Sequence, residues 1–342
     1  MPKESNVSSD ILPSYTLRSH LKFEDPSQLP ILFDLNSILV ATDNFNIKNK
    51  LGQGGFGPVY KGKLQDEKLV AVKRLSSCSG QGLEEFKNEV MLISKLQHRN
   101  LVRLYGYCVE KEERILIYEF MANKSLDTFL FDPRKKAQLN WSSRFSIIQG
   151  VARGLLYLHR DSCLRVIHRD LKVGNILLDD KMNPKISDFG LARIFQGTQD
   201  LANTHKVVGT LFGILVLEIV SGRKVITSYY VDQYISLVNY AWQNWHESKE
   251  IEFMDEALET DSVSSSEVKR CIHVGLLCVQ DHAENRPTMP QVVFMLGSET
   301  ELPKPKQPTF TFQNALNSTG SNSKSDRIWS VNEVTGSVLV GR

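Results

Sequence analysis

The sequence has little that would cross-link the chain or hold it in a membrane. Its few cysteines form no CxxC pair; they are Cys78, Cys108, Cys163, Cys271 and Cys278. Such a scattered set favours reduced thiols, packed as small apolar side chains, over a disulfide framework. The longest apolar run, residues 211–220, contains Glu218 and is about half the length that a membrane helix needs. This run is therefore predicted to be a buried core helix.

No charge of one sign dominates either. The formal net charge of +2 gives no argument for binding to nucleic acid or to an anionic membrane. The first residues are polar and interrupted by prolines, so no secretory signal is predicted. Neither a myristoylation glycine nor a prenylation box is present at the ends of the sequence. The chain as printed is expected to be cytoplasmic, with no membrane span and no nucleic-acid partner.

The most informative stretch is HRDLKVGN, residues 168–175, which is followed by DFG at residues 188–190. The two segments resemble the catalytic loop and the metal-binding turn of protein kinases, and a chance match within a charged surface loop is the alternative. Phosphoryl transfer depends on positioning and charge stabilisation, so one short loop has to present a base and a metal ligand together. By this resemblance Asp170 is the base, and Asn175 and Asp188 hold Mg²⁺.

A glycine-rich segment, LGQGGFGPV at residues 51–59, contains the pattern G-x-G-x-x-G-x-V. Dinucleotide-binding proteins share G-x-G-x-x-G, but there the last glycine opens a helix. Here a polar turn and a second predicted strand, residues 69–73, follow instead. The glycines are therefore expected at the tip of a hairpin, where backbone N–H groups can approach phosphate oxygens.

The second strand carries VAVK, ending at Lys73, and is typical of the kinase strand whose lysine pairs with the α- and β-phosphates. The alternative is an exposed strand lysine. Apolar residues then recur every three or four positions between residues 79 and 96, which predicts an amphipathic helix. By the same resemblance Glu89 of this helix pairs with Lys73, whereas Glu84 and Glu85 are expected to be solvated acids.

The segment around Glu119 and Met121 falls where kinases place the hinge that binds adenine through its backbone, with Tyr118 lining the pocket beside it. The candidate nucleotide-binding residues are Leu51, Gly52, Gly54, Gly57, Val59, Ala71, Lys73, Glu119 and Met121. The implied cofactors are ATP and Mg²⁺.

Many further segments, among them LQHRNLVRLYGYC, MANKSLDTFLF, NPKISDFGLAR and ENRPTM, resemble plant receptor-like kinases of the S-domain (G-type lectin) and cysteine-rich types. The likeness runs from about Phe33 to the C-terminus. It implies an α+β, bilobal kinase fold with a small β-rich N-lobe and a helical C-lobe. It also implies protein substrates, other receptor-like kinases as partners, and full-length relatives that are plasma-membrane receptors with this domain on the cytosolic side.

Two residues of the HRDLKVGN segment suggest the substrate class and how the activity is regulated. Lys172 resembles the lysine that contacts the γ-phosphate in the serine/threonine class. Arg169, just before the base, implies a basic pocket for a phosphorylated activation loop. Thr198, Thr204 and Thr210 are candidate autophosphorylation sites, and ordinary polar loop residues are the alternative for each.

The predicted organisation has four parts. Residues 1–40 form a disordered, juxtamembrane-like lead-in, although a short amphipathic helix is expected within residues 33–45. The N-lobe covers residues 45–122, and the C-lobe covers residues 123–297. Residues 302–342, which are rich in proline, serine and asparagine, form a flexible tail.

The sequence departs from the family pattern after VVGT, residues 207–210. In the family a P+1 loop, the A-P-E motif and the aspartate that begins the central helix follow. Here Leu211 comes next, so roughly two dozen family residues are absent. Arg286 is then expected to lose its A-P-E glutamate partner, or else to turn to solvent. Two functions stay open, an active serine/threonine kinase and a catalytically impaired ATP-binding scaffold without a substrate platform.

Overall fold

The computed structural model describes residues 30–54, 57–75, 80–195, 198–225, 237–258 and 263–308. For residues 80–81 and 198–208 it describes the helical backbone and not the side chains. The first part of the predicted lead-in, most of the predicted tail and Cys78 lie outside the described residues.

A six-stranded sheet forms the N-lobe. Its strands are β1 (Ile31–Leu32), β2 (Lys50–Gly54), β3 (Gly57–Lys63), β4 (Leu69–Arg74), β5 (Leu104–Glu110) and β6 (Glu113–Glu119). They lie side by side in the order β1-β5-β6-β4-β3-β2, and every neighbouring pair is antiparallel except β1 and β5. Gly106 permits the β1–β5 contact, because a Cβ at this position would overlap the carbonyl oxygen of Ile31.

Helices dominate the remainder, so the fold is α+β as predicted. They are α1 (Leu35–Thr42), α2 (Gly80–Ile93), α3 (Asp127–Leu130), α4 (Trp141–Leu156), α5 (Thr198–Ser221), α6 (Leu237–His246), α7 (Glu250–Phe253), α8 (Ser265–Cys278) and α9 (Met289–Gly297). Two short strand pairs lie beside the catalytic loop, β7 (Val166–Ile167) with β10 (Arg193–Ile194), and β8 (Ile176–Leu178) with β9 (Pro184–Ile186).

The periodic apolar residues explain how the helices dock. In α2, Phe86 and Val90 lie one turn apart and are fully buried, which places this helix against the sheet. Glu84 is exposed as expected, whereas Glu85 is buried, so the expectation of a solvated acid is wrong for Glu85.

In α4, Ile148 and Val151 are equally buried in the C-lobe core. The spacing of apolar residues in this region of the sequence predicts a helix that ends at His159; the residues are Phe145, Ile148, Val151, Leu155 and Leu158. The α-helix ends earlier, at Leu156, and a π-helical turn follows.

The predicted apolar core helix is confirmed as the second half of α5. From Phe212 to Val220 most of its apolar side chains are fully buried. Gly213 permits close packing on α8, because a Cβ at this position would lie 2.7 Å from the carbonyl oxygen of Gly275. The helix runs without a break from Thr198 through the junction of residues 210 and 211, where the family segment is missing.

The first residues of the predicted tail pack against the C-lobe. The Gln280 side chain donates to the carbonyl oxygen of Lys306 and accepts from its N–H, both at 3.0 Å. Pro305 and Pro308 are buried, and a ring nitrogen of His273 lies 2.8 Å from the carbonyl oxygen of Pro303. Residues 302–308 therefore pack against the C-lobe and continue it.

The cysteines in the described residues are all free thiols. Cys108, Cys271 and Cys278 are buried, and burial raises the pKa of Cys108 and Cys278 to about 12, so these thiols are unreactive at neutral pH. Cys163 is exposed, so the expectation that every cysteine packs as a small apolar side chain is wrong there.

Among the described helices, none combines the length and the apolar character needed to cross a membrane.

Candidate active site

Lys73 lies at the centre of the cleft between the lobes. Its Nζ donates to Glu89 Oε2 at 3.0 Å and to Asp188 Oδ1 at 2.9 Å, so one ammonium joins β4, α2 and the DFG turn. Burial alone would lower the pKa of Lys73, but the two carboxylates outweigh it and raise the pKa. Lys73 is therefore a permanent cation, and the predicted Lys73–Glu89 pair is formed.

Glu89 is buried and makes a further contact, because its Oε1 accepts a hydrogen bond from the N–H of Phe189 at 3.3 Å. Tyr118, at the end of β6, is buried nearby. Burial raises the pKa of Tyr118, and the charge of Glu89 raises it further, so the phenol is neutral. The pocket behind Lys73 thus contains one ammonium and two carboxylates beside a neutral ring.

The catalytic loop holds Asp170 through two neighbours. Asp170 Oδ2 accepts from Lys172 Nζ at 2.8 Å and from Asn175 Nδ2 at 2.9 Å, and the same amide reaches the carbonyl oxygen of Asp170. Arg169 and Asp188 adopt left-handed backbone angles, with φ of 68° and 71°. Such angles are strained in residues other than glycine and persist where the surrounding structure enforces them.

His168 is hydrogen-bonded to the backbone of this loop and to the residue before Asp188. It is buried, Nδ1 accepts from the N–H of Asp170 at 3.3 Å, and Nε2 lies 2.9 Å from the carbonyl oxygen of Ser187. Because a carbonyl only accepts, Nε2 carries the proton and the ring is neutral. Burial lowers the pKa of His168, and its ring packs edge-on against the ring of Phe189.

Acidification is therefore expected to destabilise the fold through His168. As the pH falls from about 7.5 to about 5.5, the unfolded chain gains a proton on this histidine before the folded chain does, so the stability decreases. We expect a melting temperature that drops by a few degrees over this range. The His168→Phe variant should show a shallower decrease, and equal slopes in the two proteins would contradict this role of His168.

The glycine-rich segment forms the hairpin of β2 and β3, with Gly54 opposite Gly57. A Cβ at Gly52 or at Gly54 would meet nothing within 4 Å, so both face open space, while Gly57 has a positive φ and lies close to the carbonyl oxygen of Arg74. A strand follows Gly57 rather than a helix, which excludes the dinucleotide-binding arrangement.

Most of the other candidate nucleotide residues lie on the strands around Lys73. Leu51, Val59 and Ala71 are half-buried on β2, β3 and β4. Met121 is buried just after β6. The side chain of Glu119 accepts from the N–H of Arg103 at 2.7 Å and from Lys185 Nζ at 3.1 Å, and its own N–H donates to the carbonyl oxygen of Arg103 at 3.0 Å, so both its side chain and its N–H are already bonded.

Arg286 does not turn to solvent, so that alternative is wrong. Its guanidinium is half-buried and donates to the carbonyl oxygens of Gln280 and Asp281, which are part of the loop after α8. Burial lowers the pKa of Arg286.

Among the candidate phosphosites Thr210 is half-buried within α5, and the side chains of Thr198 and Thr204 lie outside the described residues.

The donor set fits Mg²⁺ held together with a nucleotide. Within the part of the chain that the structure describes, no cluster of three or more His, Cys, Asp or Glu side chains could hold a metal alone. Asp188 and Asn175 supply one carboxylate and one amide oxygen. Mg²⁺ typically combines one or two such protein ligands with phosphate oxygens and water. The Lys73 ammonium lies beside Asp188, and the glycine hairpin has open space at Gly52 and Gly54.

Comparison with known families decides the assignment. Residues 45–296 match the family of protein tyrosine and serine/threonine kinases. The chain belongs to this family. Residues 298–342 match a second family, a domain of unknown function called DUF3403.

Curated relatives in Arabidopsis thaliana are named G-type lectin S-receptor-like serine/threonine-protein kinases. At1g61370 is 55% identical over 95% of this chain and 41% of its own length, and At1g11280 is 57% identical over 91% and 40%. At1g61460 is 58% identical over 91% of this chain and 41% of its own length. The chain thus spans about two fifths of the length of these relatives, and the resemblance to the S-domain type is confirmed.

The alignment with At1g61370 also bears on the missing segment. It runs over 346 residues, more than the 342 residues of this chain, although only 95% of the chain is covered. The relative therefore has residues at positions where this chain has none, whereas the alignment with At1g61460 runs over 315 residues for 91% of the chain and leaves few such positions.

One residue of the site was not anticipated from the sequence. Asn88 precedes Glu89 on α2 and contacts the backbone of the DFG turn. Its only signal in the sequence is its place beside Glu89, which gives no indication of which way an amide side chain will point.

Proposed function

We propose that this chain is an ATP-dependent protein serine/threonine kinase of the receptor-like signalling type, which transfers the γ-phosphate of ATP to serine or threonine hydroxyls. The observation that carries the proposal is that Lys73 donates to both Glu89 and Asp188. In the catalytic loop, Asp170 accepts from Lys172 and Asn175. Six polar side chains from four separate segments converge in an arrangement suited to phosphoryl transfer.

When bound, ATP and Mg²⁺ supply the transferable phosphoryl group and much of the charge neutralisation. Asn175 and Asp188 would hold Mg²⁺, and Lys73 would pair with phosphate oxygens. Asp170 would accept the proton of the attacking hydroxyl at its carboxylate. Lys172, whose ammonium lies 2.8 Å from that carboxylate, would neutralise charge that develops on the transferred group.

The substrates would be proteins, and this chain itself is one candidate. Thr198, Thr204 and Thr210 would be autophosphorylation sites, and other receptor-like kinases would be partners, because the relatives are named as receptor-like kinases.

The proposal requires that Mg-ATP stabilises the chain through Lys73. At an ATP concentration about 100 times the dissociation constant, binding adds about 2.7 kcal/mol to the free energy of unfolding, which raises the melting temperature by roughly 5–10 °C. Lys73→Met should remove this shift because it deletes the phosphate-pairing ammonium. Lys63→Met, at the exposed end of β3, is the matched control and should keep the rise in melting temperature.

Transfer is measured with labelled γ-phosphate on the purified chain and on a generic basic protein substrate. Incorporation supports the proposed kinase. A chain that binds Mg-ATP but incorporates no phosphate would instead be a nucleotide-binding scaffold. A chain with no thermal shift in Mg-ATP would contradict both functions.

A further inference from the structure

The DFG turn is held by a side chain that has no part in the chemistry proposed above. Asn88 is half-buried on α2, and its Nδ2 lies 3.1, 2.8 and 2.8 Å from the carbonyl oxygens of Phe189, Gly190 and Ala192. All three partners only accept, so the NH₂ end of the amide must face them. Its two hydrogens are shared among three acceptors.

The next residue of the same helix completes the contact. Glu89 Oε1 accepts from the N–H of Phe189 at 3.3 Å, whereas Asn88 donates to the carbonyl oxygen of that residue. Both backbone polar groups of Phe189 are thus bonded to adjacent residues of α2. Gly190 packs directly on the helix as well, because a Cβ at this position would lie 3.3 Å from Glu85 Cβ.

These contacts surround a strained residue. Asp188 has a φ of 71° and directs its carboxylate to Lys73 at 2.9 Å. A non-glycine residue stays in this region only where its surroundings over-determine it. The contacts of Asn88 lie on the C-terminal side of Asp188, and if the turn reversed, all three would be lost together.

We infer that Asn88 is a positioning residue, which locks the DFG turn onto α2 and thereby fixes the carboxylate of Asp188 toward the cleft. What Asp188 binds there rests on the proposed function. In consequence, the geometry of the metal ligand depends on the docking of α2, through an amide that touches neither nucleotide nor metal.

The first test needs no ligand. Asn88→Asp preserves the shape but replaces both donors with an oxygen that repels the three carbonyls, and Asn88→Leu removes the polar group. Hydrogen exchange over residues 186–195 of the free protein should become about tenfold faster in both variants, the loss expected for a net hydrogen bond or two. Glu84→Gln, on the exposed face of the same helix, is the control. Unchanged exchange in folded Asn88 variants would overturn the inference.

The second test separates positioning from general destabilisation. Binding of ATP is measured in excess Mg²⁺ and again in EDTA. In the Asn88 variants the gain in affinity that Mg²⁺ confers should fall about tenfold, while affinity in EDTA stays within about twofold. Equal losses in both conditions would indicate a structural role only and would overturn the inference.

Failure of the proposed function gives a different pattern. If the unmodified chain binds Mg-ATP but transfers no phosphate, both readouts for Asn88 still apply. If it binds no nucleotide, the exchange measurement decides alone.

Discussion

Replacement of Asp170 by Asn is expected to lower the rate of γ-phosphate transfer by about 10²–10⁴-fold, the usual contribution of a general base. The carboxylate accepts from Lys172 and Asn175, and an Asn side chain retains one oxygen acceptor with the same shape. The substitution therefore removes the proton acceptor while largely preserving the loop. Labelled phosphate incorporation measures the loss.

The matched control is Asp180→Asn, the same chemical change at an exposed position beyond β8, which should transfer phosphate at the unmodified rate. Binding of Mg-ATP should survive in both variants, because Lys73 and Asp188 are untouched. Equal activity of Asp170→Asn and the unmodified chain would contradict the assignment of Asp170 as base.

The largest effect on stability is expected from a buried ion pair in the C-lobe. Arg144 of α4 is completely buried, and its guanidinium donates to Asp255 Oδ2 at 2.7 Å and to the carbonyl oxygens of Leu139 and Ile219. Lys136 donates to the other carboxylate oxygen at 2.9 Å. Burial would raise the pKa of Asp255, but the bonds from Lys136 and Arg144 outweigh it and lower the pKa.

Asp255→Ala should therefore lower the free energy of unfolding by about 3–5 kcal/mol, because it leaves the buried Arg144 charge without its carboxylate. Denaturant unfolding at neutral pH measures the change. Since the folded pKa of Asp255 lies below its ordinary value, its contribution is complete at neutral pH and is lost only as the pH falls through the folded pKa.

The neighbouring residue provides the control. Glu256 is exposed and lies 3.9 Å from Arg223, so Glu256→Ala should leave the free energy of unfolding almost unchanged. A loss for Asp255→Ala as small as that of Glu256→Ala would show that the pair is not integral to the C-lobe.

The sequence by itself determined the family, the α+β fold and the main candidate residues of the site. The reason is that phosphoryl transfer places strict demands on short segments, so that HRDLKVGN places a candidate base and a candidate metal ligand in one loop and DFG adds a second candidate ligand. Hydrophobic periodicity likewise predicted α2, α4 and the apolar half of α5, because burial of one helix face imposes its spacing on the chain.

Only the tertiary structure decided which polar side chains meet. Asn88 contacts carbonyls about a hundred residues away, Arg144 meets Asp255 across a comparable separation, and Arg286 bonds to the loop beside it instead of turning to solvent. Hydrogen bonds between distant segments require no spacing pattern in the chain, and a buried amide NH₂ or guanidinium can donate to any carbonyl that packing brings within reach. Such contacts follow from how the segments pack in the folded chain, which local sequence does not encode.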